Sequence, residues 1–104
     1  MAINPSSGEF ITLDEAKTFV FDFRKEFPTA TKGYFAGKDK LDMILAQEDC
    51  IGLRIYNGYS DAESKTNLVI VGVDKAELDM TDGLILEKLD PCPSQCDTTS
   101  ALYS

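Results

Sequence analysis

The chain has 104 residues, 43% of them hydrophobic, and a formal net charge of −8. A chain of this length holds one hydrophobic core and buries somewhat over ~60% of its unfolded surface, and its apolar residues recur periodically, as in a folded rather than a disordered chain. The charge is uneven: residues 1–40 carry six acids and six bases, residues 41–104 twelve acids against four bases. Such a surface repels a phosphate backbone and anionic lipid alike, so neither nucleic acid nor membrane is an expected partner.

Residues 1–10 form a polar lead with neither a basic nor an apolar leader region, and no run reaches the ~18 apolar residues of a membrane span. The expectation is a cytoplasmic protein of one domain, 1–104. Thr12-Leu13-Asp14-Glu15 has the form of a capping box, in which hydroxyl and carboxylate each satisfy an N–H of the first helical turn. Leu13, Ala16, Val20, Phe23 and Phe27 then recur at 3-4-3-4 spacing, Phe19 widens the stripe, and Pro28 stops the helix. This Phe-rich stripe is expected to be a core face.

Tyr34-Phe35-Ala36 is a candidate for a brief strand. Gly33 to Asp39 superficially resembles a phosphate loop, but the glycine spacing is wrong and Asp39 replaces the hydroxyl residue that should follow the lysine. Lys38 to Glu48 places Leu41, Ile44 and Leu45 on one side of a second helix, with Asp39, Asp42 and Gln47 elsewhere. Ile51, Leu53 and Ile55 alternate with Gly52, Arg54 and Tyr56, which predicts a strand with one apolar face. Arg54 on the other face is expected to pair with a neighbouring acid, because an unpaired guanidinium is costly to desolvate.

Asn57 to Thr66 is polar and Gly-containing, as in the loop of a long hairpin. Leu68 to Val73 is apolar on both faces and belongs in the middle of a sheet. Asp74 to Asp82 follows as an acidic loop, Gly83 to Lys88 supplies another short strand through Leu84, Ile85 and Leu86, and 90–104 is expected to be irregular. The predicted fold class is α+β, two helices packed on one face of a small, mainly antiparallel sheet of three to four strands.

Histidine is absent. That removes the commonest general base, the commonest metal ligand and every Ser-His or Cys-His nucleophile, so no catalytic residue and no cofactor is assigned and the chain reads as a non-enzyme. Asp74, Glu77, Asp79 and Asp82 gather the oxygen ligands a hard cation wants, but without EF-hand spacing or its central glycine; a solvated acidic loop is the simpler reading.

Three cysteines make an odd set, and with no Asn-x-Ser/Thr acceptor they do not describe a secreted scaffold. Cys92 and Cys96 admit a local disulfide across a very small loop, a pair of structural thiols, or a thiol site that includes Cys50. Zinc would need a fourth ligand, from Asp90, Asp97 or another subunit.

Taken in order, Tyr34-Phe35-Ala36-Gly37-Lys38-Asp39, Cys50-Ile51-Gly52-Leu53-Arg54-Ile55-Tyr56, Leu68-Val69-Ile70-Val71-Gly72-Val73-Asp74 and Cys92-Pro93-Ser94-Gln95-Cys96 resemble a group of small uncharacterised bacterial proteins with a Cys-Pro-x-x-Cys end. The resemblance spans Gly33 to Cys96. It implies no activity, and it treats Cys50 and the terminal cysteine pair as one feature.

The leading functional expectation is a non-enzymatic interaction or structural protein acting by self-association or by binding a protein partner. The alternative is a thiol-based redox or metal site on Cys92 and Cys96 with Cys50.

Overall fold

The computed structural model describes residues 2–103 and shows an α+β protein. In chain order its elements are α1 (Leu13–Glu26), β1 (Gly33–Phe35), α2 (Lys38–Leu45), β2 (Cys50–Ser60), β3 (Lys65–Asp74), β4 (Ile85–Leu86) and β5 (Asp90–Cys92). The strands form two antiparallel sheets, β2-β3-β4 and β1-β5, rather than one. Among the described residues no helix is long and apolar enough to cross a membrane. The chain divides into two compact units.

The first unit comprises Ala36–Leu89 with the N-terminal residues up to Ser7. Its hairpin is longer than the sequence suggests. β2 and β3 pair continuously from Gly52↔Val73 to Ser60↔Lys65, so residues 57–60 and 65–66, read from composition as loop, are strand, and only 61–64 turn the chain. Both faces are solvated there, which gives a strand the composition of a loop. An irregularity between Cys50 and Gly52 shifts the register where β2 begins. A Cβ at Gly58 would collide with the end of the Asn67 side chain opposite, so a larger residue there must displace that amide.

β3 is the central strand, as its two-sided apolarity demands, and it carries three of the four hydrophobic side chains buried among the described residues, Ile70, Val71 and Val73. The fourth is Ile44 of α2, which ends at Leu45 rather than Glu48. Gln47, which the helical pattern places off the apolar side, is a staple. Its Nε2 donates to the Ile44 carbonyl at 2.9 Å and its Oε1 accepts from the Leu84 N–H at 3.0 Å, tying the end of α2 to the approach to β4.

The second unit comprises Gly8–Phe35 and the chain from Asp90 onward. The capping box of α1 forms: Thr12 Oγ1 accepts from the Glu15 N–H at 3.1 Å and Glu15 Oε1 accepts from the Thr12 N–H at 3.0 Å. The Thr12 N–H, and then the Thr12 hydroxyl, donate to the Glu15 carboxylate and hold it below its usual range. The Phe stripe, however, is not a core face. Phe19 and Phe27 are 65% and 57% exposed, Phe23 stacks on Phe27 at 5.1 Å between ring centroids, and no residue of α1 is fully buried.

Of the stripe, Ala16 and Val20 are half-buried, and Lys17, Phe21 and Arg24 of α1 are half-buried with them. The only strands of this unit, β1 and β5, make a ribbon three residues long, too short to offer much apolar surface. β5 itself runs through Pro91 in a segment read as irregular; proline is tolerated because both strands of a two-stranded ribbon are edges.

Candidate functional site

The period-two pattern of β2 puts Arg54 and Tyr56 on one face, opposite Val71 and Val69 of β3. Asp79 reaches the same place because a backbone bridge to Val73 pins it after the turn that follows β3. Arg54 Nη1 donates to Asp79 Oδ1 at 2.5 Å, and the Tyr56 hydroxyl donates to Asp79 Oδ2. The guanidinium and carboxylate are only 35% and 21% exposed, so the pair is partly shielded from water.

The Tyr56 hydroxyl, followed by Arg54, holds the Asp79 carboxyl below its ordinary value of 3.8. Its hydrogen bond to Asp79 pushes the Tyr56 phenol above 10.0, and the separate Arg54–Asp79 hydrogen bond raises Arg54. An anion, a neutral phenol and a cation, each with its titration moved further from pH 7, make a positional clamp rather than a proton-transfer device. The expected acid partner of Arg54 is thus Asp79. Tyr56 as a third member was not readable from spacing.

The four carboxylates of the acidic loop have separate tasks. Asp74 Oδ1 accepts from the Ala76 and Leu78 N–H groups at 2.9 and 3.1 Å, closing the turn, and Glu77, at φ 69°, accepts from the Ile3 N–H at 3.3 Å. Asp79 belongs to Arg54 and Tyr56, and Asp82 is exposed. Among the described residues no three of Cys, Asp or Glu are grouped to hold a metal ion.

Cys92 and Cys96 stand at disulfide-bonding distance with their Cα atoms 4.8 Å apart. They border a surface cavity of about 300 Å³ shared with Val20, Arg24, Lys32 and Tyr103. The Arg24 guanidinium donates to the Leu102 carbonyl there and lies 5.4 Å from the Phe21 ring centroid. Cys50 is a free, half-buried thiol of the other unit and donates to the Gly52 carbonyl at 3.3 Å. Its sulfur, Gln47 Nε2 and Met80 Sδ converge on Gly72, each within 3.0–3.2 Å of where a Cβ would stand.

The remaining feature is an edge. β2 is the outer strand of its sheet over eleven residues, and among the described residues no backbone group outside β3 bonds to residues 51–60. Ile55 and Tyr59 beside that edge are 56% and 62% exposed. No family model, curated protein or solved structure matches this chain.

Proposed function

We propose that this chain is a non-enzymatic interaction or structural protein that works through self-association or by binding a protein partner. The observation that carries the reading is the open β2 edge, eleven residues long, holding one charged residue and no proline. Sheets that stay monomeric blunt such edges with lysine, proline, bulges or short strands. Here the irregularity near Cys50 marks one end, Ile3, Asn4, Pro5 and Ser7 border Ile51, Gly52, Leu53 and Arg54, and the strand beyond them holds neither lysine nor proline. The exposed Phe19, Phe23 and Phe27 of α1 add apolar surface of the kind that partners cover. Light scattering over a concentration range, joined to a pull-down from native lysate, tests the reading. Association or a reproducible partner is expected; a strict monomer that captures nothing contradicts it.

A second reading, a thiol-based redox or metal site, draws support from the pairing of Cys92 with Cys96 beside an open cavity. Thiol titration and elemental analysis of freshly purified protein separate the two. A reduction potential near the cytosolic pool or stoichiometric metal favours this reading, and inert cysteines refute it.

A further inference from the structure

The paired cysteines sit where β5 gives way to the last turns of the second unit, and the two are anchored differently. Cys92 belongs to the ribbon: it stands opposite Gly33 of β1, and its carbonyl accepts from the Lys32 N–H at 2.7 Å. Cys96 lies past the end of β5, at the start of a segment that doubles back in turns. There the Ser100 N–H donates to the Asp97 carbonyl at 3.1 Å and the Tyr103 N–H to the Ser100 carbonyl at 3.0 Å. The segment returns to α1, where the Leu102 carbonyl accepts from Arg24. Asp97, Ser100, Leu102 and Tyr103 thus line the cavity of about 300 Å³ together with Val20 and Arg24 of α1.

We propose that the Cys92–Cys96 disulfide is a redox-operated tether for residues 97–103. Closed, it holds the segment against α1 as a wall of the cavity; reduced, it lets the segment come away and the cavity open. The inference deepens the thiol reading above and rests on it. Burial supplies the argument. Within residues 97–103 only Ser100 and Tyr103 are half-buried and the other five are exposed, so docking removes little apolar surface from water. Segments with so few buried contacts open at small free-energy cost unless something else holds them. The disulfide does so: with Cα atoms 4.8 Å apart, it ties Cys96 to the ribbon-held Cys92 and limits where the segment can start.

Both cysteines are half-buried and border the open cavity, so a reductant reaches them. The reductant is a dithiol. One of its thiolates bonds a cysteine sulfur as the S–S electron pair leaves on the other cysteine. Its second thiolate then displaces the first cysteine, closing the reductant into its own disulfide, and the protons its thiols give up pass to the cysteines.

The test uses the full chain with Cys50→Ser, so that Cys92 and Cys96 are the only thiols present. Amide NMR order parameters are measured in the oxidised protein, after dithiothreitol, and after reoxidation. For residues 99–103 they should fall from about 0.8 to below about 0.6 on reduction and recover on reoxidation, while those of α1 stay high. Adding Cys92→Ser and Cys96→Ser, with folding checked by circular dichroism, should give the reduced pattern whatever the oxidant. A pair that cycles between disulfide and dithiol while residues 99–103 keep the same order parameters overturns the tether and leaves the thiol reading intact. So does a segment that stays rigid in the doubly substituted chain. Cysteines that neither pair nor respond to dithiothreitol overturn both.

Discussion

Gly72→Ala probes the packing of the first unit at its tightest point. A Cβ at position 72 would stand 3.0 Å from Gln47 Nε2, 3.1 Å from Cys50 Sγ and 3.2 Å from Met80 Sδ, against 3.4–4 Å for ordinary contact. Each neighbour must retreat by a few tenths of an ångström. Two of them are tethered: Gln47 bonds the Ile44 carbonyl and the Leu84 N–H, and the Cys50 thiol bonds the Gly52 carbonyl. Overpacking of this kind costs about 1–2 kcal/mol, toward the low end of its range because all three contacts are side-chain termini. In urea that lowers the midpoint by roughly 0.5–1.5 M. Adding Cys50→Ala or Met80→Ala removes one of the crowding atoms, so each double mutant should be more stable than the sum of its singles implies. A neutral Gly72→Ala, or strictly additive double mutants, would refute the convergence of Gln47, Cys50 and Met80 on this glycine.

Three further outcomes follow from the same geometry. Ile44→Ala removes one of the four hydrophobic side chains buried among the described residues and should cost about 2–5 kcal/mol in a urea titration. Asp79→Asn should lower stability at neutral pH; because the folded-state carboxyl titrates below 3.8, the wild-type advantage is full above that value and disappears as pH falls through the lower, folded-state value. Urea midpoints at pH 7 and pH 3 check the sign, and an advantage that grows on acidification contradicts it. Self-association should tighten as salt rises from about 0.05 to 0.5 M, because copies of net charge −8 repel and salt screens the repulsion.

What the sequence disclosed depended on how local each signal was. The Thr12–Glu15 box, the alternation of β2, the two-sided apolarity of β3 and an acid for Arg54 were all legible, since each lies in the spacing of a few residues or in a plain energetic need. The β1–β5 ribbon was not, because Gly33↔Cys92 pairing joins segments far apart in the chain, one of them marked by prolines. Nor was the exposure of Phe19, Phe23 and Phe27. A stripe declares that a helix has an apolar side, whereas burial depends on the area its partner offers. At the candidate site, Tyr56 was read only as the polar phase of a strand. Its bond to Asp79 depends on the turn that returns the chain to Val73.

The central proposal is that the chain associates through the outer edge of β2, with its own copy or with a protein partner. Hydrogen exchange measured amide by amide at low micromolar and at near-millimolar protein tests it most directly. The account predicts that the outward-facing amides between Ile51 and Tyr59 exchange rapidly in dilute protein and become protected as concentration rises, while those of β3 stay unchanged. Exchange in β2 that is the same at both concentrations and unchanged by any protein captured from lysate would contradict it.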